Sequence, residues 1–357
     1  MSLQKYFDNH EKVVFINDKQ SSLRAIIAIH DTTLGPAFGG CRIFPYVTYL
    51  DALYDVLKLS CAMTYKAAIC GFPLGGGKAV IISDQKGKTP DLLHAFAHQI
   101  NLLEGLYITS DDVGSTVMDM EIIREKTPFA KGITTITGNA CPATAYGVFC
   151  GIKASLHYLY GKECHLSKYS VAIQGVGSVG YKLCEYLVEE GIKVFVADID
   201  PDALHKVKNK FNVEIVEPDQ IHLVGADVFA PCALGGSINE NNIYNINAKI
   251  IAGAANNQLS HNYYASILKE RNILYAPDFV INAGGLIDVS LEGGNYSIAN
   301  VLNATEVIYD RLIKIFLRAD YLNLSTLDVA IEIAESYLNQ KSRAIRNNLQ
   351  KEEGYCV

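Results

Sequence analysis

The stretch Val171-Ala172-Ile173-Gln174-Gly175-Val176-Gly177-Ser178-Val179-Gly180 decides the fold. Its glycines have the spacing G-x-G-x-x-G, which alone is weak evidence. The flanks give it meaning. The β-branched residues before Gly175 read as a strand, and Tyr181 to Glu190 reads as a helix. Lys193-Val194-Phe195-Val196-Ala197 then reads as a second strand, ending at Asp198. In such a unit Gly175 permits the tight turn, Gly177 admits a pyrophosphate against the backbone, and Gly180 lets helix and strand pack closely. Val176, Ser178 and Val179 complete the loop, and the helix start offers N–H groups and positive dipole to phosphates. Asp198 lies eighteen residues after Gly180. A carboxylate there accepts from ribose hydroxyls and repels a 2′-phosphate, so NAD is expected rather than NADP. The plainer reading is a glycine turn in some other α/β protein. Strand, helix and acid in the right order favour the cofactor.

Working outward, short apolar strands recur at Val228-Phe229-Ala230, Lys249-Ile250-Ile251-Ala252 and Ile273-Leu274-Tyr275-Ala276. Strands alternating with helices predict a mostly parallel, doubly wound sheet. Thr144 to Tyr160 reads as one long helix before it. The N-terminal part differs. Val13 to Ile16 and Leu23 to His30 read as strands separated by a polar turn, and Tyr49 to Cys70 has helical spacing. Gly75-Gly76-Gly77-Lys78 leads into an Ala79-Val80-Ile81-Ile82 strand, and Leu92 to Leu103 is amphipathic. Val301 to Leu349 is helical again. The fold class expected is α/β with two domains and a cleft between them. Residues 1–133 are expected to form an N-terminal α/β substrate-binding and catalytic domain, completed by helices from about 325 to 357. Residues 134–324 form a Rossmann NAD-binding domain.

Composition agrees with a globular protein of more than one core: 357 residues, 49% hydrophobic and 19% charged. A net charge of −7 without a Lys/Arg run argues against nucleic acid as a partner. No apolar stretch has the length of a membrane span, and the first residues lack a secretory pattern, so a cytoplasmic protein is expected. The nine cysteines form no C-x-x-C pair, which points to reduced thiols. No metal site is expected: His94 and His98 share a helix face, but Ala95 breaks the H-E-x-x-H pattern.

A Rossmann domain names a cofactor and leaves the reaction open. In the other domain Lys66, Lys78 and Asp112 stand in stretches poor in charge. Lys78 follows three glycines, where no side chain blocks close approach. The segment is no P-loop, because position 72 is Phe and position 79 is Ala. Singly, each lysine could be a solvated surface charge. Together with their surroundings they become recognisable. His30-Asp31-Thr32-Thr33-Leu34-Gly35-Pro36-Ala37, Met63-Thr64-Tyr65-Lys66, Gly75-Gly76-Gly77-Lys78 and Asp112-Val113-Gly114 come in order, followed by Pro231-Cys232-Ala233-Leu234-Gly235 and Tyr275 to Gly285. From about residue 10 to 345 the chain resembles the Glu/Leu/Phe/Val dehydrogenase superfamily, most of all its leucine dehydrogenase branch.

The resemblance implies reversible oxidative deamination of an apolar L-amino acid to the 2-oxo acid, ammonia and NADH. By it, Lys66 binds the substrate carboxylate, helped by the backbone of Gly39 and Gly40. Lys78 in its neutral form activates water for attack on the imine carbon. Asp112 exchanges a proton with the substrate amino group. Thr144 matches the family position near the nicotinamide, Cys232 and Ala233 match cofactor-binding positions, and the side-chain amides of Asn256 and Asn282 match positions facing cofactor and substrate. Cys141 stands where the family usually has Ser, and a thiol is the weaker donor. Phe38, Ser110, Leu286 and Val289 match the side-chain pocket, where leucine dehydrogenases more often carry Leu, Ala, Val and Val. A smaller pocket suits branched-chain substrates; one shifted towards an aromatic ring suits phenylalanine or another aromatic amino acid. No Lys or Arg is evident there for the second carboxylate of glutamate. A non-catalytic NAD-binding regulatory protein is the rival of another class, and it predicts loss of Lys66, Lys78 or Asp112. The family also implies a homo-oligomer, an octamer in the leucine branch.

Overall fold

The computed structural model describes residues 9–84, 86–132, 141–292 and 296–353, with side chains up to residue 344. The chain divides into two compact units, one of Met1–Gly138 with Ile333–Val357, the other of Asn139–Glu332. The sequence reading drew these boundaries at 133/134 and 324/325.

The first unit carries β1 (Lys12–Asp18), β2 (Leu23–Asp31), β3 (Ala37–Phe38), β4 (Cys41–Phe44), α1 (Tyr49–Cys70), β5 (Gly75–Ile82), α2 (Pro90–Asn101), β6 (Tyr107–Ile108) and α3 (Val117–Arg124). Its sheet runs β1-β2-β5-β3-β6, with β4 also on β5. β5 is antiparallel to β2 but parallel to β3 and β4. β5 is buried along its whole length, and β2 nearly so. Alternate β2 residues explain this. Ile26 and Ala28 share a core with Val56 and Leu57 of α1, while Ala25, Ile27 and Ile29 share one with Phe96 and Ile100 of α2. A sheet covered on both faces needs apolar residues at every position. α1 is fixed at its start by a reciprocal cap. Thr48 Oγ1 accepts from the Asp51 N–H at 3.1 Å, and Asp51 accepts from the Thr48 N–H at 3.1 Å. It ends at Gly71, whose φ of +67° is left-handed.

The second unit carries α4 (Cys141–Tyr160), β7 (Ser170–Gln174), α5 (Ser178–Glu189), β8 (Lys193–Ala197), α6 (Pro201–Lys210), β9 (Val213–Ile215), β10 (Val228–Pro231), β11 (Ile250–Ile251), α7 (Tyr264–Glu270), β12 (Leu274–Tyr275), α8 (Asp278–Ile281), α9 (Gly284–Ser290), α10 (Ile298–Thr305) and α11 (Val307–Leu322). α12 (Thr326–Glu353) follows, and the boundary to the first unit falls within it. The sheet order is β12-β11-β10-β7-β8-β9, parallel throughout. Counted from β7 this is the 3-2-1-4-5-6 order of the doubly wound dinucleotide fold, and it reverses between β7 and β10. α5 starts three residues earlier than its apolar pattern suggests, at Ser178, because the glycine loop itself turns into the helix. β9 escaped the sequence reading, being three residues long with two exposed. No helix among the described residues is long and apolar enough to cross a membrane.

Candidate active site

In the first unit the site is built where β3, β4 and β5 converge. The strand reading of β5 began at Ala79, whereas the strand itself starts at Gly75 and includes Lys78. The glycines are needed because their neighbours press on the backbone. A Cβ on Gly76 would lie 1.9 Å from Thr64 Oγ1 of α1, and one on Gly77 2.8 Å from the Tyr107 ring. A Cβ on Gly39 would lie 1.7 Å from the Gly77 carbonyl oxygen. Tyr107 fixes the other side, its hydroxyl donating to the Gly39 carbonyl at 2.6 Å.

Lys78 is therefore buried, and its Nζ lies 2.9 Å from Asp112 Oδ2. The loop carrying Asp112 is tied to β4. Asp111 forms a bridge with Cys41, the Asp112 N–H donates to Ser115 Oγ at 2.8 Å, and the Ser115 hydroxyl donates to the Cys41 carbonyl at 2.7 Å. Gly40 sits directly against it, since a Cβ there would be 2.9 Å from that of Asp112. Lys66 lies on the same helix as Thr64 and is buried at 8% exposure. Phe38 and Ser110 are buried close in sequence to Gly39 and Asp112.

The sequence reading missed Arg42. Its Nε donates to Asp112 Oδ2 at 3.1 Å, and its Nη1 donates to Asp55 Oδ2 at 2.8 Å. Asp55 also accepts from the Tyr46 hydroxyl at 2.5 Å. The signal available was an arginine inside a short, otherwise apolar strand two residues after Gly40. Burial pushes the Asp112 carboxyl up, but the Lys78 ammonium and the Arg42 guanidinium together outweigh it and hold the group below its ordinary range. Asp111 goes the other way: burial, joined by the charge of Asp112, raises it.

The second unit holds the dinucleotide motif at the point where its sheet order reverses. Gly175 has φ +96°, and a Cβ there would meet Ala233 at 2.8 Å. The Cys232 N–H donates to the Gln174 carbonyl at 2.7 Å, so the ends of β7 and β10 are locked together. A nicotinamide dinucleotide needs open space at the second glycine and tight contact at the third, and the residues fit both needs. A Cβ on Gly177 would meet nothing within 4 Å, while one on Gly180 would lie 2.0 Å from the Gly175 carbonyl oxygen. No side chain caps α5. A cavity of about 520 Å³ opens here, lined by Val176, Gly177 and Ser178 with Cys141, Asp200 and Lys206. Val179 follows inside the first turn of α5. Asp198 accepts the Val176 N–H at 2.7 Å and the Asp200 N–H at 2.9 Å, so it shapes the loop as well as ending β8.

Thr144 lies in the first turn of α4, and Gly284 packs against its backbone. Asn282 Nδ2 donates to Asn256 Oδ1 at 2.8 Å and to the Ala254 carbonyl at 3.0 Å. Its Oδ1 is buried with no partner among the described residues. Leu286 and Val289 are buried on α9. The proposed pocket set therefore divides, with Phe38 and Ser110 in one unit and Leu286 and Val289 in the other.

Comparison with known proteins adds an independent line. Residues 8–129 match the model of the Glu/Leu/Phe/Val dehydrogenase dimerisation domain, and residues 196–319 that of Glutamate/Leucine/Phenylalanine/Valine dehydrogenase. Leucine dehydrogenase of Geobacillus stearothermophilus is 45% identical, covering 96% of this chain and 95% of its own. Phenylalanine dehydrogenase of Caldalkalibacillus thermarum is 43% identical over 94% of this chain and 92% of its own. The crystal structure of L-tryptophan dehydrogenase from Nostoc punctiforme superposes with a TM-score of 0.79 at 42% identity, covering 96% of this chain and 98% of that one. With both domain models matched in order and full-length relatives above 40% identity, the chain belongs to the Glu/Leu/Phe/Val dehydrogenase family of amino acid dehydrogenases.

Proposed function

We propose that this protein catalyses the reversible, NAD-dependent oxidative deamination of a branched-chain L-amino acid such as leucine, valine or isoleucine. The products are the 2-oxo acid, ammonium, NADH and a proton. The observation that carries the reading is the buried Lys78–Asp112 pair at 2.9 Å, set against the Gly39-Gly40 backbone.

Each role follows from what the group can do. The Lys66 ammonium suits a carboxylate as a charge-assisted donor, and of the two glycines Gly40 would add its N–H, since that of Gly39 already donates to the Ile108 carbonyl at 3.1 Å. Asp112, held ionised by two cations, accepts a proton from the substrate ammonium, freeing its lone pair. NAD, when bound, supplies the hydride acceptor. Lys78, having first released its ammonium proton to solvent (the proton among the products), takes a proton from water as that water attacks the imine carbon, and Asp112 returns its proton to the departing nitrogen. The orphaned Asn282 Oδ1 suits an N–H donor from cofactor or substrate. The Gly175–Gly180 loop would hold the pyrophosphate and Asp198 the ribose hydroxyls, with Thr144 near the nicotinamide and Cys232, Ala233 and Asn256 as further cofactor contacts.

Phe38, Ser110, Leu286 and Val289 would line the side-chain pocket. They bring no cation for a second carboxylate, which argues against glutamate. The relatives named for phenylalanine and tryptophan, together with the bulk of Phe38 and Leu286, favour an aromatic substrate as the second reading. A one-methylene difference is worth only about 1–3 kcal/mol in such a pocket. We further propose that the protein works as a homo-oligomer, an octamer, in the cytoplasm.

The test is NADH formation at alkaline pH with leucine, valine, isoleucine, phenylalanine, tryptophan and glutamate, and Lys78→Ala as control. Branched-chain turnover lost in the control supports the reading. Aromatic preference would move the pocket assignment, and no turnover despite NADH binding would remove the activity.

A further inference from the structure

We propose that Arg42 is a positioning residue for the reaction, clamping the Asp112 carboxylate in register with Lys78 while Asp55 and Tyr46 anchor the clamp from behind. The inference rests on the role given above to Asp112. Arg42 and Lys78 both donate to the same oxygen, Asp112 Oδ2, at 3.1 and 2.9 Å. The guanidinium is itself held from the far side by Asp55 at 2.8 Å, which also takes the Tyr46 hydroxyl. One planar group thus ties together a strand, the Asp112 loop and α1. Lysine, a point charge on a flexible stem, cannot span two carboxylates in this way. Arg42 is 17% exposed and Asp112 13%, so the charges act with little screening from water.

The clamp also has an electrostatic consequence. The groups facing Asp112 are Lys78 from β5, Arg42 and Cys41 from β4, Tyr107 from β6, and Asp111 beside it. Burial keeps the Cys41 thiol and the Tyr107 phenol protonated. The charges left are two cations, Asp112 itself and Asp111, with Asp55 balancing Arg42 from behind. When Asp112 takes the substrate proton the cluster becomes more positive. Arg42 opposes that step and Asp55 eases it, so the two set the pH range in which the Lys78–Asp112 pair works.

The experiment measures kcat and kcat/KM against pH for the parent, Arg42→Gln, Arg42→Lys and Asp55→Asn, with NADH affinity and thermal midpoint for each. In Arg42→Gln, kcat is expected to fall at least roughly tenfold and the acid limb to move up by about one pH unit, because a cation beside the pair is lost. Arg42→Lys is expected to return the limb towards the parent while recovering only part of kcat. Asp55→Asn leaves Arg42 unbalanced and is expected to move the limb down. Opposite displacements in these two variants are not produced by general loosening of the fold. If Arg42→Gln is unfolded, the downward displacement in Asp55→Asn carries the test. Limbs that stay at the parent position in both, or move the same way, overturn the inference. A parent without turnover on any amino acid overturns the function itself, which is a separate result.

Discussion

Gly177→Ala separates cofactor binding from folding. Gly177 has φ −62°, which any residue adopts, and an added Cβ meets nothing within 4 Å. The methyl group therefore costs the fold almost nothing. A small loss of cap preference is set against about 0.4–1 kcal/mol gained by restricting the unfolded chain. The same methyl occupies the space through which a pyrophosphate would reach the N–H groups at the start of α5. Losing one charge-assisted hydrogen bond there costs about 1.5–3 kcal/mol, so NADH should bind roughly ten- to hundredfold more weakly. Gly180→Ala is the contrasting variant. Its Cβ would lie 2.0 Å from the Gly175 carbonyl oxygen, and α5 must retreat before it fits. That substitution should lower stability by about 1–3 kcal/mol. The assay is a fluorescence titration with NADH beside a thermal melt of each protein. A Gly177→Ala protein that binds NADH as tightly as the parent would refute the assignment of this loop to the pyrophosphate.

Lys78→Ala should lower kcat by about 10²–10⁴ with NADH affinity unchanged, because the lysine lies in the unit without the dinucleotide motif; equal losses in both would point to misfolding instead. Lys66→Ala should act mainly on amino acid binding, raising KM by roughly ten- to hundredfold for one lost charge-assisted bond, and a pure kcat effect would contradict its role. Gly39→Ala should abolish activity and lower the melting midpoint, since its Cβ would stand 1.7 Å from the Gly77 oxygen; a stable, active variant would show that the strands can part. His30 introduces acid sensitivity. Burial, assisted by His10, lowers its pKa from 6.5 to about 4. Between those values the unfolded chain binds more protons, so stability falls as pH drops through 6.5, by about 3 kcal/mol in all at pH 4. Urea midpoints at pH 7 and 4.5 should therefore converge more in His30→Gln than in the parent, and an unchanged gap would exclude His30 as the source.

The glycine spacing, the strands either side and Asp198 were legible because they are local: each constraint lies within thirty residues of chain. Lys78 stood out for a similar reason, beside three glycines that only a crowded backbone requires. What sequence could not show was how the crowding arises. Gly39 excludes a side chain because of Gly77, on another strand, and Gly76 because of Thr64, on the helix packed against its sheet.

The order of motifs alone thus determined the dinucleotide unit, the two-part organisation and a list of candidate groups. Only the tertiary structure decided which of them meet. It set Asp112 against Lys78 across 34 positions and brought in Arg42 from 70 positions away. The reason is physical: periodicity and turn chemistry act between neighbours, whereas an ion pair depends on where separate strands end, and that follows from how the whole sheet packs.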